Sequence, residues 1–166
     1  KLSGKVLANT YSSKILLEGP LLGTKKKNIE NSTILSLRTS YLDKTYSFLS
    51  EEGLPYSFTD IYGKFSIFSN NGSKFNLYGF NFIDNVNYNN LKQTNLVQLG
   101  WDSYGFGSNF VLVPGSAKML IEGDIAYSNY NISQESLQET ISSQINGFNL
   151  NLNFSYFMSK QSEIRY

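Results

Sequence analysis

Apolar and polar residues alternate along most of the 166-residue chain. The clearest case runs from Phe148 to Tyr156, where Phe, Leu and Tyr at even positions are separated by Asn or Ser. Because successive side chains of a β-strand point to opposite faces, a period of two predicts strands with one apolar and one polar face. The same alternation predicts strands at residues 33–41, 61–67, 75–83, 104–112 and 119–127. The third of these is less regular, since Tyr78, Phe80 and Phe82 fall on its supposed polar face.

The connections between these strands also alternate in length. Short polar turns are predicted at residues 70–73, 114–116 and 159–162, and longer segments at 42–56, 85–96 and 131–143. A turn at 19–31, which contains Lys25-Lys26-Lys27, is long for the rim on which it falls. Long loops on one rim and tight turns on the other are typical of outer-membrane β-barrels. The sequence predicts an all-β, antiparallel, up-and-down transmembrane barrel, with about seven strands and the start of an eighth at Ile164.

Ionised side chains fall on the polar rows of the predicted strands. A charge that faces lipid at mid-depth costs about 2–4 kcal/mol, whereas one in a watery lumen costs little. We therefore expect the apolar rows to face hydrocarbon and the polar rows to face a lumen. The predicted lumen-facing residues are Arg38, Asp60, Lys64, Glu122 and Asp124.

Several of these residues allow a second interpretation. Glu122 and Asp124 are two apart on one face, which suits acid–base work or a cation, but a solvated lumenal pair is favoured. Arg38 suits an anionic substrate, although we favour a tie to a plug or to a neighbouring carboxylate. Aromatic residues at the predicted membrane borders are the candidates for an interfacial girdle, with ligand stacking as the alternative for Trp101. The girdle candidates are Tyr41, Trp101, Tyr104, Tyr127 and Tyr156.

The composition narrows the possible chemistry. Twelve Tyr, 12 Phe and 13 Gly stand against 3 Pro, and only 16% of residues are charged, with a formal net charge of +1. Such a balance offers no basic surface for nucleic acid. The chain has no His and no Cys, so the commonest general base and metal ligands are missing. We expect no enzyme, no catalytic residue, no metal and no cofactor; the glycine-rich segment 100–107 lacks the following helix that a phosphate loop needs.

Two segments resemble the barrel of TonB-dependent outer-membrane receptors of the Bacteroidetes type. The first is Ser12-Ser13-Lys14-Ile15-Leu16-Leu17-Glu18-Gly19-Pro20-Leu21, and the second is Leu35-Ser36-Leu37-Arg38-Thr39-Ser40-Tyr41-Leu42-Asp43. Residues 56–63 and 119–130 follow in the same order as in the family. The first two segments are specific, and the likeness over the remainder of the chain is loose.

The resemblance implies nutrient import across the outer membrane of a Gram-negative bacterium, with a siderophore, vitamin, glycan or peptide as substrate. It also implies partners: outer-membrane lipid, a plug domain, the remaining strands of a barrel of about 22 strands, the TonB complex reached through the plug, and a surface lipoprotein. Residues 1–166 are expected to supply a barrel segment without a plug domain.

Two alternatives come from other classes of protein. One is a complete eight-stranded outer-membrane barrel with a structural or adhesive role. The other is a soluble all-β carbohydrate-binding module, in which the apolar rows would be packed against a second sheet.

Overall fold

Pairing between consecutive strands accounts for the architecture of the chain. The computed structural model describes residues 1–21, 28–45, 56–88, 95–115, 118–159 and 162–166. It contains one antiparallel sheet of nine strands, in which each strand is hydrogen-bonded to its neighbours in sequence. This confirms the prediction of an all-β, up-and-down antiparallel fold. The sheet is not closed, because β1 and β9 form its two edges and do not pair with each other.

The strands lengthen towards the end of the chain before a short last one. In order, the elements are β1 (Ser3–Ala8), β2 (Ser12–Gly19), β3 (Ile29–Ser40), α1 (Leu42–Thr45), β4 (Tyr56–Ser69), β5 (Lys74–Asn87), β6 (Leu96–Leu112), β7 (Met119–Ser136), β8 (Thr140–Ser159) and β9 (Ser162–Arg165). We call the end of the sheet that carries the β4–β5 turn the lower rim, and the opposite end the upper rim. The Lys25-Lys26-Lys27 run and most of the predicted 42–56 loop lie outside the described residues.

The prediction of seven to eight strands was too low. The first 19 residues form two strands rather than one, joined by a turn at Asn9. The Asn9 side-chain oxygen accepts hydrogen bonds from the backbone N–H groups of Tyr11 and Ser12, both at 2.8 Å. An Asn that binds the backbone two and three residues ahead holds a tight turn. No Gly or Pro marks this turn, so the sequence pattern did not reveal it.

The prediction of a long connection at residues 131–143 was wrong. β7 and β8 remain paired as far as Glu135 and Thr140, which leaves only a short turn between them. The Ser136 hydroxyl supports this turn by accepting from the Glu139 backbone N–H at 3.1 Å. On these strand ends Ile132, Ile141 and Ile145 lie on the face opposite to that of Phe148. The alternation of Phe148–Tyr156 therefore does not continue into them, although their backbone groups still form the ladder.

The register places the apolar rows of the predicted strands on one face of the sheet. One row across eight strands consists of Gly4, Leu17, Leu35, Gly63, Gly79, Phe106, Tyr127 and Phe148. We call this side the apolar face and the opposite side the charged face. Among the described residues no hydrophobic side chain is buried, and Phe106, Phe148 and Leu150 are 60%, 68% and 69% exposed. The buried residues are polar, so the usual inside–outside order of a water-soluble domain is reversed.

Aromatic rings fill the space above several strand glycines. The rings of Phe80 and Tyr78 lie over their cross-strand partners Gly105 and Gly107, and Phe110 lies over Gly123. A Cβ on Gly105 would be 2.8 Å from the Phe80 ring, which is too close. Glycine is therefore required for packing at these positions, and the glycine-rich segment 100–107 belongs to a strand rather than to a phosphate loop.

Two glycine substitutions test this packing. In Gly107→Ala the new Cβ would meet the Tyr78 hydroxyl at 2.7 Å and the Ile125 carbonyl at 2.8 Å, so the backbone must move. We expect a loss of about 1–3 kcal/mol in the free energy of unfolding, as for other overpacked sites. In the control Gly63→Ala the nearest atom is a Leu35 methyl at 3.8 Å, and we expect a change within about 0.5 kcal/mol. Equal destabilisation of both variants in urea unfolding would contradict this packing.

Candidate functional site

The charged face contains the five residues predicted to face a lumen. Arg38 and Asp60 are direct cross-strand partners, and Lys64 follows Asp60 on the same face of β4. Glu122 and Asp124 occupy the same face of β7, which the register connects to β4 through β5 and β6. The structure thus brings all five to one side of the sheet. That water covers this side stays a prediction.

Arg38 has its partners within the sheet. Its Nε donates to Asp60 Oδ2 at 2.6 Å, and its guanidinium carbon lies 4.7 Å from the centre of the Phe58 ring. An exposed ion pair contributes at most about 1 kcal/mol, so these contacts orient Arg38 more than they stabilise the fold. Of the two roles considered for Arg38, the pairing with a neighbouring carboxylate is the one that the geometry provides.

Glu122 and Asp124 do not form a shared site. Asp124 accepts a hydrogen bond from the Asn149 side-chain amide. Glu122 borders a cleft of about 510 Å³ near the lower rim, together with Glu163 and Arg165, which pair with each other at 2.6 Å. Over the described ranges, no three acidic side chains lie close enough together to hold a metal ion. This arrangement is that of dispersed polar groups on a strand face.

A continuous polar row crosses the charged face. Its members, one from each strand from β3 to β8, are Ser32, Ser66, Asn76, Asn109, Asp124 and Asn151. The Ser66 hydroxyl donates to the Asn76 side-chain oxygen at 2.7 Å, and the Asn76 amide donates to Asn109. Ser66 and Asn76 are only 4% and 3% exposed. Because a buried polar group requires a partner, this row fixes the side chains of adjacent strands relative to one another.

Six aromatic side chains form a group beside these polar residues. Tyr56, Phe58, Phe80, Phe82, Trp101 and Tyr130 lie on the charged face of β4, β5, β6 and β7. We call this group the aromatic platform. Ring centres are 5.0 Å apart between Phe80 and Phe82 and 6.5 Å apart between Tyr56 and Trp101. The sequence signalled it only through the irregular strand 75–83 and through the stacking alternative for Trp101.

A carboxylate anchors one end of the aromatic platform. The Tyr56 hydroxyl donates a hydrogen bond to Asp84. Tyr56 lies five positions above Ile61, the uppermost apolar residue of its strand on the apolar face, and therefore outside the apolar part of the sheet. Burial, and next the bond to Asp84, raise the pKa of the Tyr56 hydroxyl to about 12. The phenol consequently remains a hydrogen-bond donor at every physiological pH.

The five girdle candidates occupy different positions. Tyr104, Tyr127 and Tyr156 lie on the apolar face, and the rings of the first two are 6.2 Å apart. Trp101 differs from the expectation, because it is three residues from Tyr104 and therefore points to the charged face. Tyr41 follows β3, and its hydroxyl donates to backbone carbonyls of the β1–β2 hairpin, including that of Ser12 at 3.0 Å. A girdle formed on the apolar face thus excludes Trp101.

The apolar face changes character along each strand. On β8, apolar side chains occupy five consecutive positions of this face, from Phe148 to Tyr156, and the next position upwards is Asn146. Tyr104 and Tyr127 lie at the upper border of the apolar residues on β6 and β7, and Tyr156 lies near the lower border. Above the border, Asn129 donates to Asn146 and Asn131 donates to Asp102. We call the apolar residues between the two borders the apolar band.

The lower border of the apolar band descends across the sheet. Ile67 on β4 and Leu152 on β8 lie at the same level of the sheet, because the register pairs them in succession through Phe75, Phe110 and Gly123. Below Ile67 the next residue on this face is Ser69, but below Leu152 the band continues to Tyr156. The border on β8, at Tyr156, therefore lies four residues below the level of the border on β4, which is four strands away. The upper border descends in the same direction, from Leu37 on β3 to Phe148 on β8. Phe148 lies at the level of Leu35, so this border descends by one row, or two residues.

Comparison with known proteins gives no relative. No protein-family model, no curated protein and no solved structure matches the chain. Within the described ranges, no helix is long and apolar enough to cross a membrane.

Substitution of Asn76 tests the polar row. Asn76→Leu removes the groups that bind Ser66 and Asn109 in a buried position. We expect a decrease of about 1–3 kcal/mol in the free energy of unfolding, because the two former partners lose a hydrogen bond without regaining water. Asn151→Leu is the control, since Asn151 belongs to the same row but is exposed. If Asn76→Leu unfolds at the same urea concentration as the wild type, the row does not stabilise the sheet.

Proposed function

We propose that the chain is a segment of the transmembrane β-barrel wall of a TonB-dependent nutrient receptor in the bacterial outer membrane. The observation that carries the proposal is the reversed distribution of side chains. The apolar face is exposed and has no covering layer among the described residues, whereas buried side chains are polar and lie mainly in hydrogen-bonded pairs. Lipid provides a cover for the apolar face that a single sheet in water does not have.

The extent of the apolar band supports a bilayer as this cover. From Phe148 to Tyr156 the band covers eight residue-to-residue steps, which is about 27 Å along a strand that rises about 3.4 Å per residue. A strand tilted by about 40° converts this length to a height of roughly 21 Å, close to the apolar belt of roughly 25 Å in outer-membrane barrels. Tyrosines at the two borders match the position of interfacial aromatic residues.

The descending lower border supports a tilt of this size. Four residues over four strands is one residue per strand. A rise of about 3.4 Å for each lateral step of about 4.8 Å corresponds to an angle of about 35° between the strands and the normal to the border. Strands of transmembrane barrels tilt by about 35–45°, a range that the lower border reaches. The upper border slopes in the same direction by two residues over five strands, which corresponds to about 16°.

The edges of the sheet favour a large barrel over a small one. Strand direction alternates across the sheet, so the first and the last of nine strands, β1 and β9, run in the same direction. Closing β1 onto β9 would require a parallel pair, whereas single-chain bacterial outer-membrane barrels are antiparallel with an even strand number. Unpaired edges are not tolerated in lipid. In the proposed barrel, further strands of the receptor therefore pair with both edges, and the eight-stranded alternative is disfavoured.

The receptor class is proposed from the two segments that resemble the family. The first is β2 with the residues after it, and the second runs from β3 into α1; β2 and β3 pair along their whole length, from Ser12 with Ser40 to Gly19 with Thr33. The two segments thus form one hairpin, in which each segment is the pairing partner of the other. In this proposal the charged face lines the passage, the plug fills it, and TonB and a surface lipoprotein are reached through the rest of the receptor.

Fractionation of cells that express the receptor in which further strands pair with β1 and β9 tests the location. We expect it in the outer-membrane fraction, and we expect its gel mobility in detergent to change on heating as the barrel unfolds. A chain that stays in the buffer-soluble fraction after membrane removal would instead favour the carbohydrate-binding module. That outcome would contradict the membrane proposal.

Adjacent substitutions on β8 test which face contacts lipid. Leu150 and Asn151 are both exposed but point to opposite faces. We expect Leu150→Arg to destabilise the membrane-inserted protein by about 2–4 kcal/mol, since its charge would enter the hydrocarbon. Asn151→Arg should change the stability by less than about 1 kcal/mol. The measurement is urea unfolding in lipid vesicles, and a neutral effect of Leu150→Arg would show that water reaches the apolar face.

A further inference from the structure

Four members of the aromatic platform lie in two adjacent rows of the charged face, with Phe80 one row below them and Tyr56 one row above. In one row Phe82 is opposite Ser103, which is opposite Tyr130; in the other Phe58 is opposite Asp84, which is opposite Trp101. Two rows are about 7 Å apart along the strands and four strands span about 14 Å. The rings form two contacting groups, Tyr56 with Phe58 and Trp101, and Phe80 with Phe82. Tyr130 lies in the same row as Phe82.

The rings of this surface are accessible. Phe82 and Tyr130 are 36% and 39% exposed, and the remaining members are half-buried. Among the described residues, α1 is the one element outside the sheet, and it lies next to β4. The Trp101 indole N–H has no hydrogen-bond partner in the described part of the chain, although a buried indole usually finds one. The platform thus offers aromatic surface together with a free donor.

Among the charged side chains around the rings, Asp84 keeps its negative charge, because its donor is a neutral hydroxyl. Arg38 pairs with Asp60 and lies over Phe58, and Asp84 accepts from the Tyr56 hydroxyl. The two rows contain no unpaired cation to attract an anionic ligand. A single ring face is enough to attract an organic cation, so tetramethylammonium is included in the experiment as the competing ligand. Ring faces, carboxylate acceptors and the indole donor on one surface favour a ligand that has C–H groups to stack and hydroxyls to bond.

We infer that the aromatic platform binds a neutral oligosaccharide. The C–H groups of a sugar ring, which are slightly positive, pack against the negative faces of aromatic rings. Sugar hydroxyls would donate to free carboxylate lone pairs of Asp60 and Asp84 and accept from the Trp101 indole. This ligand class rests on the proposed function, because the platform then faces the watery passage of an importer. It narrows the possible substrates from siderophore, vitamin, glycan or peptide to glycan.

Trp101 is the single tryptophan of the chain, so fluorescence can report on the platform. The purified receptor in which β1 and β9 are paired is titrated in detergent with maltohexaose, cellohexaose and laminarihexaose, and the signal of Trp101 is the part of the emission that Trp101→Phe removes. We expect at least one of them to cause a saturable change in tryptophan emission. Phe82→Leu, which keeps an apolar side chain but removes the ring, should weaken that binding about fivefold.

The matched control is on the same strand. Phe75→Leu makes the same change on β5, at a residue 41% exposed against 36% for Phe82, but on the opposite face. We expect unchanged affinity in this variant. Asp84→Asn is the second test if Phe82→Leu does not fold, and we expect it to weaken binding about threefold through the loss of a charged acceptor.

Three results would overturn the proposal that the aromatic platform binds an oligosaccharide. These are the absence of a saturable change with all three hexasaccharides, an equal effect of Phe75→Leu and Phe82→Leu, and a response to tetramethylammonium in place of the sugars. Membrane fractionation separates this failure from that of the proposed function. A protein that inserts into the membrane but binds no sugar would contradict only the proposed ligand. A soluble protein that binds sugar would contradict the proposed receptor but not the proposed binding of sugar by the aromatic platform.

Discussion

The interstrand backbone ladder is the constraint from which the other features of this chain follow. Each interior strand hydrogen-bonds on both sides to its sequence neighbours, so the backbone is satisfied within one sheet and without a second layer. Once the register is fixed, alternation decides which side chains share a face. Apolar residues then accumulate on one side, while Ser66 and Asn76 become nearly inaccessible on the other through bonds to their neighbours. A sheet of this kind requires an apolar environment on one face, which is the physical basis of the membrane proposal.

The two faces serve different purposes in this account. On the apolar face, the border tyrosines and the oblique lower edge of the apolar band agree with tilted strands in a bilayer. On the charged face, Arg38 pairs with Asp60, while Asp84 binds the Tyr56 hydroxyl and keeps its negative charge near Trp101. Exposed rings beside carboxylate acceptors favour a hydroxyl-rich ligand over an anion. The proposed uptake of a glycan thus depends on the same separation of faces as the proposed location.

The sequence predicted those parts of the fold in which one face is apolar. The alternation at Phe148–Tyr156 identified β8, and the same parity placed Arg38 and Glu122 on one side of the sheet. It failed in the extension of β7 and β8 beyond Asn131, because the apolar face carries only polar residues there and the few isoleucines lie on the charged face. The turn at Asn9 was missed because an Asn side chain, rather than Gly or Pro, holds it. Trp101 was assigned to the girdle by residue type, although its distance of three residues from Tyr104 places it on the other face.

A cysteine scan of β8 tests most directly whether the apolar face contacts lipid. The chain has no native Cys, so a single spin label can be attached at each position from 148 to 156 in turn. In lipid vesicles, relaxation by oxygen reports lipid exposure and relaxation by a water-soluble nickel chelate reports water exposure. The account predicts a period of two, with high oxygen and low nickel accessibility at even positions and the reverse at odd positions. Nickel accessibility at the even positions equal to that at the odd ones, or exclusion of both reagents from the even positions, would contradict it.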